Sequence, residues 1–161
     1  MKIAKVQQIT WQMPDDLYEW YTQEGSAEVG PQAIWEWHQV IGAEMSSFIH
    51  YCRERQPSCF IDIGAHCGIF SSVYCSIVAQ HNCHAIEPIA DHMKRLRLVA
   101  SANDWRLEAY PIALNSQAQE LYYYNTHMAN FVTNPDFQPP KDNSNPENEA
   151  LHKVLVTTLD N

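Results

Sequence analysis

Glycine is scarce in this 161-residue chain: there are five, at positions 25, 30, 42, 64 and 68, and none in residues 69–161. Positive charge is sparse as well. Ten Lys plus Arg oppose nineteen Asp plus Glu, a formal net charge of -9. That argues against nucleic acid as the main partner, because phosphate binding needs a basic face. Lys94-Arg95-Leu96-Arg97 is the only dense basic run and reads as a solvated helix face. No segment approaches the roughly 18 consecutive apolar residues of a membrane span. Met1 to Gln8 lacks the apolar core of a signal peptide, so the default expectation is a cytoplasmic protein without a membrane. The cysteines at 52, 59, 67, 75 and 83 include no Cys-x-x-Cys pair. Their odd number suits a reducing compartment, and buried free thiols are expected rather than a metal site, although His66, His81 and His84 lie nearby.

What is present suits one globular domain: 45% of residues are hydrophobic, enough to build a core. Residues 1–57 read as an N-terminal extension and a helix, and 58–161 as the main domain. The first 30 residues are aromatic and polar without a clear period. Trp11, Tyr18, Trp20 and Tyr21 are expected to cover the main domain or to mark a contact surface. From Pro31, the spacing of Ile34, Trp37, Ile41, Met45, Phe48 and Cys52 predicts a helix that ends before Pro57. Cys59 to Ile63 is nearly all apolar, as in a strand buried on both faces. A helix over Ile69–Gln80, a strand over Cys83–Glu87, a helix over Ile89–Asn103 and a strand over Arg106–Ala113 follow. This alternation with short links predicts an α/β fold with a parallel sheet and flanking helices. Beyond it, Glu120–Asn125 and Lys153–Thr158 are β-type runs expected to pair as a hairpin-like extension. Between them, Asn134 to Ala150 reads as a long loop rich in Pro, Asn and acids.

The chemistry concentrates at two strand ends. Cys59 to Gly68 reads Cys-Phe-Ile-Asp-Ile-Gly-Ala-His-Cys-Gly, and Cys83 to Pro88 reads Cys-His-Ala-Ile-Glu-Pro. Two of the five glycines fall within five positions at the first strand's end, where backbone pressed against a ligand requires them. Gly68 opens the next helix, whose N–H groups attract an anion. Asp62 can order the turn or accept from a ligand amine. Glu87 can accept from both hydroxyls of a ribose. Dinucleotide binding is served less well, because the Gly-x-Gly-x-x-Gly pattern would want glycine where His66 stands. A ligand with one carboxylate, one amine and an adenosine, S-adenosylmethionine, fits better.

Phe60 to Gly68 resembles the first motif of the FkbM-type methyltransferases, S-adenosylmethionine-dependent enzymes of the Rossmann-like class I fold, and Ala85-Ile86-Glu87-Pro88 resembles their second. Asn103, Tyr110 to Leu114 and Val156-Thr157-Thr158-Leu159-Asp160 fall in the family's order, so the resemblance runs from about Ser58 to Asn161. It implies a cofactor set of Asp62, Gly64, Ala65, His66, Gly68, Glu87, Pro88 and Ala113. In that set the glycine turn wraps the methionine part, Glu87 holds the ribose and Ala113 lies near the adenine. His66 stands where the family often has asparagine.

The family continues with a strand carrying a Lys-x-Asp-x-Glu-Gly type motif, and nothing of that kind follows Asp160. The expectation is therefore a C-terminally incomplete class I fold whose first strand has an open edge. A second copy, a complementing C-terminal polypeptide or the hairpin-like extension would cover it. The implied reaction is O-methylation of a small metabolite or sugar hydroxyl, with the isolated chain inactive. His66 and His127 are candidate bases, each more readily structural, and Tyr122, Tyr123 and Tyr124 are candidate acceptor contacts. Two alternatives stay open: a non-catalytic remnant or binding module of the same fold, and a nucleotide- or NAD-binding Rossmann protein.

Overall fold

The computed structural model describes residues 1–16, 18, 42–78, 82–117, 119–125, 129–136, 138 and 151–158. The chain divides into two compact units, Met1–Tyr110 and Pro111–Asn161.

The first unit begins with a hairpin that the composition concealed. Lys2–Val6 (β1) pairs antiparallel with Ile9–Met13 (β2), with Val6 opposite Ile9. A two-residue turn of this kind wants positive φ, and Gln7 supplies it at 52°. Ala4, Val6, Ile9, Trp11 and Met13 alternate inward, so the N-terminal residues have a period of two after all. Side-chain nitrogen Nε2 of Gln7 donates to Ser46 Oγ at 2.6 Å, tying the turn to the next element.

That element is Gly42–Arg55 (α1), with Glu44 in its first turn and Arg53 and Arg55 in its last, favourable at both poles of the helix dipole. It stops where Gln56 turns left-handed (φ 43°) and donates its N–H to Cys52 O at 3.0 Å. Met45 and Cys52 are buried as the spacing predicted, Phe48 is partly buried, and Ile49, outside that spacing, is buried as well. The expected start at Pro31, with Ile34, Trp37 and Ile41, lies outside the described residues.

Three parallel strands follow: Phe60–Ile63 (β3), Cys83–Ile86 (β4) and Leu107–Tyr110 (β5), in spatial order β3-β4-β5. Ile69–Ile77 (α2) and Ala90–Ala102 (α3) connect them. Register sets Phe60 beside Cys83 and Leu107, and Asp62 beside Ala85 and Ala109. This face meets the helices. Phe60, Cys83 and Leu107 pack with Cys52, Tyr74 and Cys75, while Ala85 packs with Met93 and Leu96. On their outer side the helices meet the hairpin, where Val73 and Val99 join Trp11 and Met13. The layers are thus sheet, helices and hairpin. Burying each large apolar side chain contributes roughly 1.5–3 kcal/mol relative to exposure.

The expectation that β3 is buried on both faces is overturned. Ile61 and Ile63 are 54% and 57% exposed, because α2 and α3 cover one face of the sheet only. An apolar run reads the same whether one face or both are covered. The outer face also carries a polar cluster, in which Tyr110 O–H donates to Glu108 and lies 3.1 Å from His84 Nδ1. No described strand pairs with the second edge of β3.

Asn103 caps α3 and joins two layers. Its amide Nδ2 donates to Val99 O and Gln12 O, and its Oδ1 accepts the Gln12 N–H, each at 2.8 Å. Four cysteines (52, 67, 75 and 83) are buried thiols outside any disulfide, and Cys59 is exposed, against the expectation for that residue. Burial pushes the Cys52 thiol up to about 11.

In the second unit, Ala113–Leu114 (β6) begins a separate parallel pair with a later strand, Val156–Thr157. The strand expected over Arg106–Ala113 therefore ends at Tyr110. Pro111 has no N–H to continue the ladder. Leu121–Asn125 (β7) is the centre of an antiparallel sheet, with Ala129–Val132 (β8) on one side and His152–Val154 (β9) on the other. The 120s and 150s runs do pair, Tyr122 opposite Lys153 and Tyr123 opposite His152. The strand over 129–132 went unread. The later run breaks at Leu155, so Val156–Thr157 forms its own strand, β10. Among the described residues no helix is long and apolar enough to cross a membrane.

Candidate functional site

The turn between β3 and α2 is built from three left-handed residues: Gly64 (φ 76°), His66 (φ 53°) and Gly68 (φ 78°). Each glycine answers a different demand. A Cβ on Gly64 would meet nothing within 4 Å, so only its backbone angle requires glycine. A Cβ on Gly68 would also lie 2.0 Å from Leu96 Cδ1, so this glycine lets α2 start close against α3. His is one of the few side chains that tolerate a positive φ.

Main-chain bonds anchor the turn to β4. The N–H groups of Gly64 and Ala65 both donate to Ile86 O, at 2.9 and 3.1 Å, and Gly68 N–H closes onto Ala65 O at 2.7 Å. The Ala65 side chain packs under the turn with Ala85, Met93 and Leu96. Asp62 takes the structural member of its two expected roles. Its Oδ2 accepts from Ser71 N–H at 3.1 Å and from Ser71 Oγ–H at 2.6 Å, which fixes the first turn of α2. Burial raises the Asp62 carboxyl pKa against the pull of these bonds.

Glu87 follows β4 directly, is 5% exposed, and is bound by the turn itself. Its Oε2 accepts the His66 N–H at 2.9 Å, and its Oε1 accepts the Ile89 N–H at 3.0 Å. Pro88 restricts Glu87 to extended backbone and so helps end the strand. Burial alone would raise the Glu87 carboxyl. Contact with His92 and the two backbone donors outweigh it and hold its pKa below the ordinary carboxylate range. Glu87 is thus charged at neutral pH in a largely enclosed position.

Seven expected residues, Asp62, Gly64, Ala65, His66, Gly68, Glu87 and Pro88, therefore lie on one turn and the strand end beside it. The eighth, Ala113, belongs to β6 of the other unit. His127 lies outside the described residues. Two neighbours were missed. Ser71 holds Asp62, and His92 places its ring 3.9 Å from that of His66, centroid to centroid. Neither carries a motif signal: each lies in the first turn of its helix, Ser71 in α2 and His92 in α3. An open depression of 490 Å³, lined by His50, Tyr51, Glu54 and Arg55 on α1, includes none of the expected residues.

Desolvation by the atoms around the His66 ring, with the neighbouring His92, pushes its pKa from 6.5 down to about 4; Glu87 pulls the other way. The residue keeps an exposed surface, and solvent limits this shift. Between those values the unfolded chain takes up a proton that the folded chain refuses, so stability falls as pH drops from 6.5 to 4. Glu87, lowered, adds to the loss below its ordinary 4.5. Asp62, raised, opposes it above 3.8. His66→Asn removes the first contribution and tolerates the positive φ equally. Thermal midpoints measured from pH 7 to pH 4 should fall less steeply in the variant. Parallel curves would absolve His66.

Comparison with protein-family models, with curated proteins and with solved structures gives no match for this chain.

Proposed function

We propose that this turn binds the adenosine and methionine parts of S-adenosylmethionine, that the parallel unit is a Rossmann-like class I fold, and that the chain is a methyltransferase of the FkbM type acting on a hydroxyl of a small metabolite or sugar. One observation carries the reading: the His66 N–H bond to Glu87 locks a turn with two left-handed glycines to a buried, ionised carboxylate at the carboxyl ends of adjacent parallel strands. That is where doubly wound sheets take nucleotides.

The residues suit such a ligand. A carboxylate has about four acceptor positions and the two oxygens of Glu87 use one backbone donor each, so acceptors remain for ribose hydroxyls. At Gly64 the turn borders open space, where an added Cβ would meet nothing within 4 Å. S-Adenosylmethionine supplies a methyl group on a sulfonium centre. The protein's own share is positioning, with a base assisting when the acceptor is a hydroxyl. Titration with S-adenosylhomocysteine, with NAD as control, separates this reading from a dinucleotide-binding one. NAD is expected to leave bound S-adenosylhomocysteine in place, and displacement by NAD would favour the alternative.

A further inference from the structure

The outer face of the β3-β4-β5 sheet gathers three side chains that the proposed function does not use. His84 on β4 and Glu108 on β5 are cross-strand neighbours, and Tyr110 lies two residues beyond Glu108, so the pleat sets all three on one face. Their polar atoms meet. His84 Nδ1 stands 3.1 Å from the Tyr110 hydroxyl oxygen and 3.6 Å from Glu108 Oε2, and the Tyr110 O–H donates to that same carboxylate oxygen. The His84 and Tyr110 rings stack at 5.9 Å, centroid to centroid, with 22° between their planes. The cluster is open to solvent: the His84 and Glu108 side chains are 26% and 66% exposed.

An imidazole nitrogen with a carboxylate and a phenol oxygen is a ligand set for a transition-metal ion. Its dimensions fit. Two donors that each lie about 2.1 Å from an ion stand about 3.0 Å apart at a right angle and about 3.4 Å apart at the tetrahedral angle. Both distances from His84 Nδ1 agree with that range to within about 0.2 Å. We propose that His84, Glu108 and Tyr110 form a binding site for a divalent transition-metal ion such as zinc, a set that shares no residue with the turn. The ion takes the place of the proton between Tyr110 and Glu108, which leaves to solvent, and its remaining positions stay open to water. Two paired strands hold the ligand backbones in register, so little ordering opposes binding. The net charge of -9 favours a cation. Among the described residues no three His, Cys, Asp or Glu side chains converge on an ion's position; here a phenol supplies the third donor. The inference stands apart from the nucleotide reading.

The test is a calorimetric titration of the full chain with zinc chloride, with magnesium chloride as control. Saturable, micromolar binding of zinc is expected, and no saturable heat from magnesium, which prefers a shell of oxygen ligands. His84→Phe keeps a ring against Tyr110 and removes the nitrogen. Loss of an outer-shell partner already costs a site about 10- to 100-fold in affinity, so loss of this ligand should weaken zinc binding at least tenfold. If the variant does not fold, cupric ion on the wild type replaces it. Copper should broaden the His84 and Tyr110 resonances first and produce a phenolate-to-copper absorption band. Wild type that zinc does not saturate in the micromolar range, unchanged affinity in folded His84→Phe, or broadening confined to other histidines would overturn the inference.

Discussion

Gly68→Ala should destabilise the protein by about 2–5 kcal/mol, whereas Gly64→Ala should cost only about 1–2 kcal/mol. Both positions are left-handed, at φ 78° and 76°, so both carry the backbone penalty of an added Cβ. At Gly68 that atom would also lie 2.0 Å from Leu96 Cδ1. Leu96 is 0% exposed and hemmed in by Ala65, Ala85 and Met93, so the clash spreads into the core. Overpacking of this kind adds about 1–3 kcal/mol. Denaturant midpoints of the two variants measure the difference. Equal losses would mean that α3 yields at Leu96, and that Gly68 is needed for its angle alone.

Glu87→Ala should show two separable losses. The part-buried N–H of His66 and the buried N–H of Ile89 lose their acceptor, and a buried donor left unsatisfied costs about 1–3 kcal/mol. Independently, affinity for S-adenosylhomocysteine should fall by about 1–3 kcal/mol, roughly 5- to 150-fold, through the missing ribose bonds. Measuring affinity well below the variant's own thermal midpoint keeps the two apart. A destabilised variant with undiminished affinity would leave Glu87 as a brace for the turn and nothing more.

Why Glu87 was legible and His92 was not follows from what a sequence encodes. The apolar runs ending in Asp62 and Glu87, separated by a helix-length stretch, dictate neighbouring parallel strands, and the register sets Ile63 beside Ile86. Glycines 64 and 68 announce left-handed backbone. The inward face of α3, with Met93, Leu96, Val99 and Ala100, follows from spacing alone. His92 reaches Glu87 only because Pro88 and Ile89 turn the chain back, which no periodicity records. The β1–β2 hairpin hid for another reason. Its turn, Gln7-Gln8, has no glycine or asparagine, and each strand offers only two or three alternating apolar residues. The exposure of Ile61 and Ile63 on the outer face escaped because it depends on which faces the helices choose. Likewise, Pro111 splits one apparent strand between two units.

The most direct test of the central claim is a calorimetric titration of the purified, folded chain with S-adenosylhomocysteine and, separately, with NAD. Saturable binding of S-adenosylhomocysteine at one site per chain, with no heat from NAD, is the predicted result. Binding of NAD in preference, or of neither by a chain that unfolds cooperatively, would contradict it.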